Sequence, residues 1–183
     1  STGVVPNSKI PPPVISDRVV RLDVPHIRQK TNLCVPTSAA MVLRYFGESY
    51  DPVVLKRYAE EHKSKAKRNR DFTYWSDMQT GLKKIQKYWR IQNYSKDVSG
   101  FEQGLGHIKH SLRAGKPVLI EVHLGPGHTF VVMGYNDDQE VVYVRDPGIS
   151  ASRSRILSYG ELLESWHNHK FHNSRSALFA NPD

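Results

Sequence analysis

The chain has 183 residues, 38% of them hydrophobic, with three tryptophans, which suits one domain with a substantial buried core and excludes a disordered polymer. No run approaches eighteen consecutive apolar residues, so no transmembrane helix is expected, and a single cysteine excludes an internal disulfide. The net charge is +8 and it is local: from Lys56 to Arg90 eleven Lys or Arg stand against four acids, so that window alone holds +7.

In chain order, residues 1–17 hold four prolines and no periodicity, and read as an extended arm or linker ahead of a domain spanning 18–183. "RVVRLDVPHI" alternates as a short strand leading to a loop at Gln29. The strongest helix follows. Pro36 fits its first turn, Val35, Ala39, Val42, Leu43 and Phe46 share one face, and Gly47 ends it. Asp51-Pro52 opens a second helix to about His62, and "WSDMQTGLKKIQKYW" reads as a third. "RIQNYS" is a short strand, and "FEQGLGHIKHSLRAG" a helix weakened by Gly104 and Gly106. The period then changes: "PVLIEVHL", "HTFVVMGY" and "EVVYVRD" are strands, "SYGELLESWHNH" a helix and "SRSALFA" a last strand. Helices first and a mostly antiparallel sheet after make an α+β fold.

Cys34 lies at the start of the first helix, where unpaired N–H groups favour a thiolate. His128 opens a strand just after "GPG", and Asp146 ends the next one. Both lie nine residues from Asp137, so a tight turn there sets them opposite or one diagonal step apart, on the same face if no bulge intervenes. A carboxylate so placed fixes an imidazole's tautomer and orientation. Gln29, in the loop before the cysteine, could join the Cys34 backbone N–H as a pair of donors to an oxyanion, a contribution of about 10²- to 10³-fold in rate.

"Q-KTNL-C-VPTSAAMVLRYFG", "GHTFVVMGYN" and "VYVRDPG" together resemble the bacteriocin-processing (double-glycine) peptidase-like family of papain-like cysteine peptidases. The pattern runs from Gln29 to Pro147, about two thirds of the chain. The resemblance implies a papain-like fold, a helical half carrying Cys34 against a sheet half, with Cys34 as nucleophile, His128 as base and acid, Asp146 as orienter and Gln29 as oxyanion donor. It implies a peptide or protein substrate, with no metal and no cofactor. In papain-type pairs the thiol pKa drops from about 8.5 to about 3–4. Two departures stand out: Val35-Pro36 follows the cysteine where relatives often have Gly, and the transporter and ATPase parts of leader-cleaving members are not in this chain.

Other readings were weighed. The same fold could serve as a catalytically silent peptide- or polyanion-binding module, or as an acyl transferase. The basic 56–90 region could hold an anionic partner, with nucleic acid disfavoured and a solvated surface the plain alternative. His167, His169 and His172 form a cluster of zinc-ligand type with no evident fourth ligand. His107 and His110 read as exposed, His26 and His123 as strand-borne, and Trp166 as a core anchor. A monomer is expected. The proline-rich start and the absence of an initial methionine lean toward an exported or periplasmic protein over a cytoplasmic one.

Overall fold

A computed structural model describes residues 3–167 and 174–182. The described strands form one sheet in which every pairing is antiparallel, in the order β1-β8-β7-β6-β5-β9-β4. These are β1 (Gly3–Pro6), β4 (Arg90–Ser95), β5 (Val118–His123), β6 (Gly127–Asn136), β7 (Val141–Arg145), β8 (Arg153–Ser158) and β9 (Ser174–Phe179). The short β2 (Val14–Ile15) pairs with β3 (Val19–Arg21), which lies against the far half of β6 where β5 has ended.

Among the described residues five α-helices pack around this sheet: α1 (Cys34–Tyr45), α2 (Pro52–Glu60), α3 (Trp75–Leu82), α4 (Val98–Arg113) and α5 (Tyr159–Ser165). Helix α1 is central. Val35 through Leu43 are all buried, as expected of a helix that meets protein on every side. Val35, which could have narrowed a cleft, is 5% exposed and packs into the core.

Helix α2 begins as its sequence indicates, with Pro52 in the first position and the Asp51 carboxylate accepting the Val53 N–H. Helix α3 is shorter than the expected span to Trp89. It stops at Leu82, a single 3-10 turn follows, and Gln86 takes a left-handed φ of 62°. The Lys87 N–H returns to the Leu82 carbonyl and the Gln86 N–H to that of Lys83, the paired bonds that close a helix end. Trp89 is then free to turn into the core, its indole N–H bonded to the Asn181 carbonyl. Gly104, which looked like a weak point in α4, lies against Trp166: a Cβ there would sit 2.5 Å from the indole ring. Trp166 is fully buried, the anchor it was expected to be.

Strand β8 was not legible in "SRSRILS". It pairs with β7 on one side and with β1 on the other, Val4 standing opposite Arg155. No helix of the described residues is long and apolar enough to cross a membrane.

The β6–β7 hairpin sets the geometry of the site. Across its turn Asn136 pairs with Val141, a register that, continued unbroken, would put His128 and Asp146 on opposite faces. Met133 is an extra residue in β6, and beyond it Val132 pairs with Val144 and Val131 with Arg145. That one-residue shift returns His128 and Asp146 to one face, a diagonal step apart. The shared face was expected from a bulge-free hairpin; a bulge supplies it. Gly134 beside the bulge has no room for a side chain, because a Cβ would stand 2.2 Å from the Val20 carbonyl of β3.

Candidate active site

Cys34 is the first residue of α1 and half-buried. His128 stands one residue into β6, and Asp146 directly follows β7. His128 and Asp146 are hydrogen-bonded, and the Cys34 sulfur lies close enough to favour the charged ring. The His128 Nε2–H donates to Asp146 Oδ1 at 2.6 Å, which leaves Nδ1 as the ring nitrogen available to the Cys34 sulfur. Burial by itself would lower the imidazole pKa. The Asp146 carboxylate and the Cys34 sulfur outweigh it and raise the pKa to about 9.

Asp146 is 1% exposed. Burial would raise its pKa, but three groups hold the charged form, and the net shift is downward. They are the His128 ring, the Gly148 N–H on Oδ1 at 2.7 Å, and Arg155, whose Nε and Nη2 both reach Oδ2 at 3.1 Å. The carboxylate thus lies between two cations, one per oxygen. Gly148 fits only because it lacks a side chain; a Cβ would be 3.1 Å from Asp146 Oδ1 and 3.3 Å from His128 Nε2.

Gln29 joins the group through its backbone, its N–H donating to the Pro147 carbonyl at 2.8 Å. Its side-chain Oε1 is buried without a hydrogen-bond partner, and no described residue engages the amide. The loop carrying it is held by two further contacts. The buried Arg145 reaches the Val24 carbonyl and the Ser154 hydroxyl, and His26 Nε2–H donates to the Asp146 carbonyl at 3.0 Å. Burial lowers the His26 pKa, so the ring is neutral at neutral pH.

Two bonds tie the helical half to the strand half beside His128. The Ser38 hydroxyl, one turn along α1 from Cys34, donates to the Thr129 carbonyl at 3.3 Å, and the Trp75 indole N–H to Thr129 Oγ1 at 3.0 Å. Of the four residues singled out from the sequence, His128 and Asp146 are thus bonded, Cys34 acts on the same ring, and Gln29 is tied by its backbone to Pro147, next to Asp146. Arg155, Arg145, His26, Ser38 and Trp75 were not foreseen. Each belongs to a residue type that usually has a plain role, and only the fold shows what it touches.

The remaining histidines lie elsewhere. His107 is exposed and bonded to the Tyr94 hydroxyl, and His62 pairs with Asp77. His167 is buried against His123, while His169 and His172 lie outside the described residues. Among the described residues no three His, Cys, Asp or Glu converge as metal ligands.

Comparison with known proteins decides the family. The profile of the Peptidase C39 like family matches residues 21–173. The chain belongs to this family. It is thereby a cysteine peptidase by family, and solved structures confirm the papain-like fold. The peptidase domain of Streptococcus ComA, a bifunctional ABC transporter of a quorum-sensing pathway, is 18% identical. That match covers 87% of this chain and 99% of that one, with a TM-score of 0.58. A double-glycine motif protease from an AMS/PCAT transporter, solved with its leader peptide, is also 18% identical; the match covers 87% and 93% of the two chains at a TM-score of 0.55. Xylellain, a cysteine protease from Xylella fastidiosa, is 9% identical, covers 98% and 95%, and has a TM-score of 0.55. No curated protein matches the chain.

Proposed function

We propose that the chain hydrolyses a peptide amide with Cys34 as nucleophile, His128 as base and acid, Asp146 as the group that orients the imidazole, and Gln29 as oxyanion donor. The observation that carries this reading is the 2.6 Å bond between His128 and Asp146, with the Cys34 sulfur placed where it too favours the charged imidazole. In the resting pair the thiol proton resides on His128. The sulfur attacks the scissile carbonyl, and the developing oxyanion takes bonds from the Gln29 side-chain amide and the Cys34 backbone N–H. The imidazolium then gives its proton to the leaving amine as the C–N bond breaks. Water, deprotonated by the same imidazole, releases the acyl group from sulfur, which leaves as thiolate and restores the resting pair. Throughout, Asp146 holds the Nε2–H and stabilises the imidazolium without taking its proton.

The substrate on this reading is a peptide or protein. The test is hydrolysis of a peptide library by the wild type and by Cys34→Ala, read by mass spectrometry with peptide binding measured in parallel. Turnover in the wild type, abolished in the variant while binding is kept, supports the peptidase. Equal absence of turnover with unchanged binding would replace it with a binding module, and capture of an added amine by the acyl group would make it a transferase.

A further inference from the structure

Two cavities open on the helical half, and both are walled by Val53, a half-exposed residue at the start of α2. The first, about 350 Å³, is lined by Arg28, Lys30, Leu33, Arg44 and Tyr50. The second, about 470 Å³, is lined by Lys56, Arg57, Lys65, Arg68 and Arg70. The first begins beside the site, since Leu33 is the residue before Cys34 and Arg28 and Lys30 flank Gln29.

The charge along this path is unbalanced. Arg28, Lys30, Arg44, Arg57, Lys65 and Arg70 form no ion pair among the described residues. Arg68 bonds only to the carbonyls of Lys63 and Glu61. Of the nearby carboxylates, Glu60 and Glu61 are ion-paired, while Asp51 and Asp71 form no ion pair among the described residues. Asp51 caps α2, Glu60 is held by Lys56, Lys63 and the Asn69 N–H, and Glu61 is held by Lys84. Cations without a carboxylate partner, set close together, raise a positive potential that an anionic chain relieves. Inside the first cavity the buried Thr37 hydroxyl also lacks a partner.

We infer that these two cavities, which share Val53, bind an acidic stretch of the peptide substrate and lead it to Cys34. The inference rests on the peptidase reading. Leu33, Tyr50 and Val53 line the first cavity together with the cations, a lining suited to carboxylate side chains with small apolar neighbours. Oligonucleotides bind through a row of aromatic platforms, one per base, and this lining provides only Tyr50.

The test uses the full wild-type chain and three fluorescein-labelled probes of about twelve units, which extended span roughly 40 Å: alternating Glu-Ala, alternating Gln-Ala, and oligothymidylate. Glu-Ala should bind about tenfold tighter than either other probe, and raising salt from about 50 to about 200 mM should weaken it strongly. The combined substitution Arg44→Gln, Arg57→Gln, Arg70→Gln should cost about tenfold in its binding with an unchanged melting temperature, each lost cation removing one charge contact. Bound Glu-Ala should slow alkylation of Cys34 by iodoacetamide. Equal binding of Glu-Ala and Gln-Ala, oligothymidylate binding as tight as Glu-Ala, insensitivity to the substitutions, or an unaltered alkylation rate would each overturn the inference. None of these readouts requires turnover, so they stand apart from the outcome of the hydrolysis test.

Discussion

Asp146 accepts His128 on one oxygen and Arg155 on the other, and the two partners act on the imidazole with opposite sign. The carboxylate favours the imidazolium, whereas the guanidinium, by neutralising that carboxylate, weakens the effect. Activity that depends on the imidazolium is therefore present below the raised His128 pKa of about 9 and lost as pH rises through it. In Asp146→Asn the alkaline limb of kcat/KM should move to lower pH with a large loss of rate. In Arg155→Ala it should move to higher pH, with Arg155→Lys returning it part of the way. A pH series of all three separates an electrostatic role for Arg155 from a merely structural one, which would leave the limb in place. Gln29→Ala should lower kcat by about 10²-fold with little change in KM, measured on any cleaved peptide. The four polar residues of the site were legible because each sits at a conspicuous place: a helix mouth, a strand start, a strand end, a loop before the cysteine. Arg155 carried no such mark. An arginine in a short run of alternating Ser and Arg reads as a solvated loop until β8 is seen lying beside β7.

Helices α1, α3 and α4 end by the same device, a left-handed residue with two bonds returning to the last turn, at Gly47, Gln86 and Gly115. Two of the three have glycine, which adopts that backbone at no steric cost. Gln86 does not, and the strain of a left-handed L-residue is about 1 kcal/mol. Gln86→Gly should therefore stabilise the protein by roughly 0.5 kcal/mol after the added freedom of the unfolded chain is allowed for, and Gly47→Ala should destabilise it by a similar or larger amount; urea unfolding measures both. This also explains why α3 was drawn too long. Past Gly81 nothing in "LKKIQKYW" announces a stop, because the terminating residue is of a type that rarely stops helices. The long apolar strands, by contrast, were plain from their Val and Ile content.

The two halves of the molecule meet at Thr129, which receives Ser38 from α1 through its carbonyl and Trp75 from α3 through its hydroxyl. Being next to His128, this junction sets how closely the imidazole approaches the sulfur. Trp75→Phe keeps the ring and removes one hydrogen bond, so stability should fall by about 1 kcal/mol, with kcat reduced more than KM because positioning is lost and binding is not. A loss of stability with kcat intact would restrict Trp75 to a structural role. The half-and-half plan followed from the order of helical and strand periods in the chain. The tie at Thr129 did not, since it depends on residues more than fifty positions apart whose types fit a core or a surface equally well.

The bulge at Met133 gives the family a rule about insertions and deletions. The turn between Asn136 and Val141 can lengthen or shorten freely, because it lies beyond the point where strand parity is reset. Between His128 and Gly134, however, residues can be gained or lost only in pairs. A single deletion there would shift the strand by half a pleat and bring Gly127 to the place of the imidazole, and a single insertion would bring Thr129 there.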